Sequence, residues 1–123
     1  MKKIRLGVLG PEGSFGDAAE LKYRGLCKEE INLAYFNSHE EIVSAYKNKT
    51  IDEGVLAVEN MISGTVREVL DLIYENELKI KQEIIIPINL CLAALPNTNK
   101  IERIISHQVA VNQVKNYIKE RYQ

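Results

Sequence analysis

Three stretches of this sequence combine residue types able to hold an anion or move a proton. In Gly10-Pro11-Glu12-Gly13-Ser14-Phe15-Gly16 the glycines permit backbone geometry closed to other residues, Ser14 adds a hydroxyl donor, and a helix N-terminus lies just beyond. Such a corner offers unpaired N–H groups and positive dipole character to a carboxylate or phosphate. Its glycine spacing departs from the dinucleotide fingerprint and no Walker lysine follows, so a tight turn without a ligand is the other reading. In the second stretch, around Glu59 and Asn60, a carboxylate and an amide leave an apolar run, with Gly64 and Thr65 beyond. Asn60 can donate and accept or simply form a turn after the strand, Thr65 can cap a helix or meet a ligand oxygen, and Glu59 suits general acid or base work or plain solvation. The third is Ser106-His107, where Ser106 can cap the helix that follows and His107 suits a proton carrier, an anion donor or a structural hydrogen bond. The other histidine, His39, falls in a capped first helical turn and reads as surface.

Each stretch lies where an apolar run gives way to a helix. Residues 4–9, 31–36 and 55–58 are short apolar runs consistent with buried strands. Asp17 is positioned to cap a helix closed at Gly25. Ser38 with Glu41 forms a capping-box signature before Ile42, Val43, Ala45 and Tyr46, and Thr65 opens a helix whose apolar face is Val66, Val69, Leu70 and Ile73. From Leu78 to Ile86 the pattern alternates as in a strand; Pro87 interrupts it, and a further apolar run covers 88–95. Ile101, Ile104 and Ile105 make a last short strand, and Val111, Val114, Ile118 and Tyr122 one helical stripe. The expected order, β-α-β-α-β-α-β-β-β-α, favours an α/β fold with a mostly parallel layered sheet, which binds ligands beyond the carboxyl ends of its strands.

Composition narrows the function classes. With 16 basic and 17 acidic residues, a net charge of -1 provides no electrostatic footprint for nucleic acid. Cys27 and Cys91 lack CxxC spacing or a His-Cys cluster, which suggests neither a disulfide framework nor a zinc site. No run approaches the roughly 18 apolar residues of a membrane span, and the start of the chain is too interrupted for a signal peptide, so a cytoplasmic protein is expected. At 123 residues the chain holds a real core but is short for two lobes around a cleft.

Together the three stretches resemble the prephenate dehydratase family. Its Gly-Pro-x-Gly-Thr-Phe-Ser pattern is met by residues 10–16, with Ser14 for the threonine and Gly16 for the serine. Its Val-Pro-x-Glu-Asn-Ser-x-x-Gly-x-Val pattern is met by residues 56–66, with Ala57 for the proline and Met61 for the serine. Its Ser-His-Pro-Gln segment is echoed by Ser106-His107-Gln108-Val109. The resemblance implies a periplasmic-binding-protein type II-like fold, with residues 1–80 as a first lobe and 81–123 as a crossing and part of a second. It implies conversion of prephenate to phenylpyruvate in phenylalanine biosynthesis, with loss of carbon dioxide and hydroxide and without cofactor or metal. Gly13, Ser14, Phe15, Glu59, Asn60, Gly64, Thr65 and His107 are then the expected substrate-binding residues.

The family carries its proposed catalytic threonine in a Thr-Arg-Phe segment, and many relatives add a regulatory ACT domain. Neither is present in these 123 residues, so the expectation is a catalytically incomplete chain whose catalytic residue is unassigned. The alternative is a non-catalytic module that binds a small carboxylate or an aromatic amino acid. The expected partners are a dicarboxylate and a second copy of the chain, with or without exchanged elements, or a complementing chain.

Overall fold

The computed structural model describes residues 2–61 and 64–122. The chain forms two compact units, Met1–Pro87 and Ile88–Gln123.

In the first unit β1 (Lys3–Leu9) is the central strand of a parallel sheet ordered β2-β1-β3, flanked by β2 (Glu30–Phe36) and β3 (Glu53–Gly54). The register runs from Lys3 opposite Glu30 to Leu9 opposite Phe36 on one side, with Leu6 opposite Glu53 on the other. The expected strand over 55–58 is thus displaced: the ladder lies at 53–54, extended by Asp52 N–H to Arg5 O (2.8 Å) and Val55 N–H to Gly7 O (2.9 Å). Pairing with a central strand decides that position, and apolar content does not reveal it.

Alternate residues of β1 face opposite sides, and each side meets a helix. Leu6 and Val8 are buried with Tyr23 of α1 (Phe15–Leu26). The other cluster joins Ile42 and Ala45 of α2 (His39–Lys47) to Ile51, with Leu9 and Phe36 packed against it. Fully burying Leu6 or Val8 contributes about 1.5–3 kcal/mol each. Gly54 is a glycine for a packing reason, since a Cβ there would lie 2.6 Å from Ile42 Cγ2.

Helix ends show how far local signals reach. Ser38 caps α2 as expected, accepting from Glu41 N–H at 3.1 Å while Glu41 accepts from Asn37 N–H at 3.0 Å. Two expectations are corrected at α1. Its N-cap is Ser14, with Asp17 inside the first turn, and the helix runs through Gly25 to a C-cap at Cys27 in extended conformation (φ -96°). The chain leaves by way of Cys27 N–H to Arg24 O, so no left-handed residue is needed.

A two-residue antiparallel pair, β4 (Glu59–Asn60) with β5 (Gly64–Thr65), precedes α3 (Arg67–Glu75). Thr65 therefore does not open the helix. Its N-cap is Val66, which makes no side-chain cap bond, and α3 is anchored instead by the fully buried Val69.

The expected strands over 78–86, 88–95 and 101–105 are not formed among the described residues. A strand exists only through ladder bonds to a neighbour, and these residues make none to β2 or β3. Residues 78–86 are instead tied by side chains: Lys22 Nζ donates to Ile85 O (2.5 Å), Lys81 Nζ bridges to Glu53 Oε1 (2.5 Å), and Ile84 packs on the Leu6 cluster. Ile80 and Ile85 are left 75% and 71% exposed.

In the second unit the expected single helix is two, α4 (Gln108–Gln113) and α5 (Lys115–Arg121), broken at Val114 (φ -114°, ψ 17°). Neither buries a residue, so the apolar stripe has too little packing to hold one continuous helix.

Candidate functional site

Because β1, β2 and β3 are parallel, their carboxyl ends share one edge, and the loops that follow, 10–14, 37–38 and 55–58, start there. Gly10 N–H donates to Phe36 O at 2.8 Å and closes the first two loops together. An open cavity of about 380 Å³ lies between them, lined by Gly10, Pro11, Glu12, Tyr35, Phe36 and Asn37.

The first corner is built by a reciprocal cap. Gly13 takes φ +86°, which a side chain would resist. Ser14 Oγ accepts from Asp17 N–H (3.3 Å) and donates to Leu9 O (3.0 Å), while Gly13 N–H donates to Asp17 Oδ2 (2.9 Å). Tyr35 OH completes the cluster by donating to Asp17 Oδ1 at 2.6 Å. The Tyr35 bond, followed by the Gly13 amide, holds the Asp17 carboxyl below its usual range, and the same bond pushes the Tyr35 phenol up to about 12. The hydroxyl proton of Ser14 is thus committed to the turn, and the Gly13 amide, expected to be open to an anion, is taken by Asp17. Phe15 is about half exposed. The sequence patterns do not single out Tyr35; its signal is the last-but-one place in a strand, aligned with Val8 opposite it.

The second corner is a tight hairpin and not a strand-to-helix junction. Glu59 pairs with Thr65 and Asn60 with Gly64, whose φ of +78° turns the chain. Glu59 and Thr65 are exposed and Asn60 half-buried. Ile62 and Ser63 of the matched pattern lie outside the described residues.

The approach to this hairpin is held by His39. Far from being plain surface, His39 is half-buried at the start of α2, and its Nε2 accepts from Ala57 N–H at 3.4 Å. Burial lowers its pKa, and Glu68 on α3 opposes that shift. Nothing in the one-dimensional pattern signals this contact, because it depends on α2 packing beside the loop.

His107 belongs to the second unit. It is the N-cap of α4 and exposed, with Nδ1 accepting from Val109 N–H at 3.2 Å; the cap is His107 and not Ser106. Nδ1 as acceptor places the proton of a neutral ring on Nε2.

Away from the edge, Tyr23 OH donates to Glu53 Oε2 (2.6 Å); burial first and this bond second push the phenol up to about 12. The Cys27 thiol donates to Glu29 Oε2 at 3.0 Å, and both cysteines are free. Among the described residues no group of His, Cys, Asp and Glu is placed to hold a metal, and no helix is long and apolar enough to cross a membrane.

Comparison with known proteins places this geometry. The family model for prephenate dehydratase matches residues 6–123. The bifunctional chorismate mutase/prephenate dehydratase of Aquifex aeolicus is 32% identical over 120 residues, 97% of this chain and 32% of that protein. The prephenate dehydratase of Lactococcus lactis subsp. lactis is likewise 32% identical over 120 residues, 97% of this chain and 42% of that one. The crystal structure of prephenate dehydratase from Streptococcus mutans superposes with a TM-score of 0.51 at 30% identity, covering 58% of this chain and 35% of that one. The chain thus spans about a third to two-fifths of the length of these relatives. Its parallel α/β sheet is of their periplasmic-binding-protein type II-like kind, and with a family match that runs from Leu6 to the last residue, the chain belongs to the prephenate dehydratase family.

Proposed function

We infer that this chain contributes the dicarboxylate-binding edge of a prephenate dehydratase, a cytoplasmic lyase of phenylalanine biosynthesis that converts prephenate to phenylpyruvate. The observation that carries the reading is the family match over residues 6–123 on a sheet whose parallel strands open at one edge. Loss of carbon dioxide and hydroxide is driven by aromatisation, so the protein has to hold two carboxylates and stabilise the departing hydroxyl by placed donors. Gly13, Ser14, Phe15, Glu59, Asn60, Gly64, Thr65 and His107 are the residues assigned to binding, without cofactor or metal. Since the hydroxyl of Ser14 bonds Leu9 O, its part is to shape the turn until a ligand displaces that bond.

The 123 residues contain no Thr-Arg-Phe sequence, and the chain by itself binds prephenate without turning it over. Calorimetric titration with prephenate, followed by an assay for phenylpyruvate, tests both halves. Binding without turnover is expected; turnover by the purified chain refutes incompleteness, and no binding refutes the site. Turnover that appears only on mixing with a candidate second chain identifies a complementing partner.

Association follows from the same reading. In the segment 78–86, which pairs with no strand among the described residues, Ile80 and Ile85 are 75% and 71% exposed, an arrangement that invites pairing. The partner is a second copy, making a homodimer with exchange of this segment. A monomer by light scattering at micromolar concentration overturns it.

A further inference from the structure

His39 carries a role that the sequence patterns do not assign. It is the first residue of α2, half-buried, and its Nε2 accepts the N–H of Ala57 at 3.4 Å. Ala57 stands two residues before Glu59, and Val58 O in turn accepts from Val66 N–H at 2.9 Å, so the imidazole holds the stem of the β4–β5 hairpin. Only the neutral ring can do this, because a protonated imidazole has no lone pair left to accept. The charged surroundings are mixed in their effect. On its own helix Glu40 is exposed and Glu41 is engaged by Asn37 N–H; on α3 Glu68 favours the imidazolium; on the strands packed against α2, Arg5 is committed to Asp52, and Glu53 to Tyr23 and Lys81. Protonation therefore removes an acceptor from Ala57.

We propose that His39 is a positioning residue, a pH-sensitive latch whose neutral imidazole fixes the stem of the hairpin that carries Glu59 and Asn60 and whose protonation releases it. The latch rests on the binding-edge reading only for its consequence, that a dicarboxylate meets an ordered hairpin near neutrality and a loosened one in mild acid. Burial sets the direction: the ring stays neutral to a lower pH than a free histidine, and release occurs below the ordinary value of about 6.5.

The latch is read on the ligand-free protein by NMR. The Ala57 amide shift is expected to follow the His39 ring protons with one shared midpoint. Its exchange protection, corrected for the intrinsic rate, falls about fivefold between about pH 7.5 and about pH 5.5, the size of one net hydrogen bond. His39→Gln, which offers an oxygen acceptor that does not titrate, abolishes that pH dependence. Glu68→Gln leaves the ring in place and moves both midpoints together to lower pH, which keeps the test decisive if His39→Gln fails to fold. Ala57 protection that stays level while the imidazole titrates, or that falls equally in His39→Gln, overturns the latch. Prephenate that fails to bind at either pH counts against the binding edge alone, because the Ala57 readout needs no ligand.

Discussion

Ser14 provides the most direct test of how the first corner is built. Its hydroxyl makes two bonds, accepting from Asp17 N–H at 3.3 Å and donating to Leu9 O at 3.0 Å. Ser14→Ala deletes both. Loss of an N-cap side chain costs about 1 kcal/mol, and leaving the Leu9 carbonyl without its donor adds about 0.5–1 kcal/mol for a part-buried group. The expected loss is about 1.5–2 kcal/mol, which with a urea slope of about 1.5 kcal/mol/M moves the midpoint down by about 1 M. Ser14→Thr keeps the hydroxyl, restores the residue type of the family pattern and is expected to stay within about 0.5 kcal/mol of the parent. Urea unfolding followed by far-ultraviolet circular dichroism measures both variants. A Ser14→Ala midpoint indistinguishable from the parent, or Ser14→Thr as unstable as Ser14→Ala, refutes the assignment of the hydroxyl to the turn.

Gly16→Ala should lower stability by about 1–3 kcal/mol despite alanine's better helix propensity, because the new Cβ would lie 2.7 Å from the backbone oxygen of Leu9; a stabilised variant in the same urea assay refutes the close approach. In a spectrophotometric titration two of the six tyrosines, Tyr23 and Tyr35, ionise late at about pH 12, and Tyr35→Phe removes one late step. At the acid end, the Arg5 side-chain and backbone bonds lower the Asp52 carboxyl to about 2. A depressed carboxyl stabilises above its unfolded value and loses that contribution as pH falls toward its folded one, here from about 4 to about 2. Asp52→Asn should flatten this part of the acid-unfolding curve, and an unchanged curve refutes the pairing.

The contrast between Ser38 and Asp17 shows what local chemistry could reveal. Both belong to capping signatures, and Ser38 was recognisable because cap, acidic partner and apolar stripe follow in one turn. At α1 the spacing points to Asp17, but the cap is Ser14, whose hydroxyl also reaches Leu9 O, a contact that no local pattern signals. The alternation over 78–86 and the apolar run over 88–95 were equally plain, yet a strand needs a neighbour and these residues have none among the described ones. The candidate residues of the two first-unit corners were all visible as types. Their commitments were not: Tyr35 on Asp17 and His39 on Ala57 join elements that are remote in sequence.

By itself the sequence determined the parallel β-α-β-α frame, since buried strand runs, glycine turns and caps are short-range features that each segment carries alone. It also carried the family, because the ordered patterns around Gly13, Asn60 and His107 are properties of the chain and not of its packing. Only the tertiary structure decided which polar groups are free. The first glycine corner, read as open to an anion, has its serine and its amide already satisfied by Leu9 and Asp17, while a histidine read as surface holds the other corner's stem. Hydrogen-bond partners across a fold depend on distances of a few tenths of an ångström between packed elements, and no spacing along the chain encodes them.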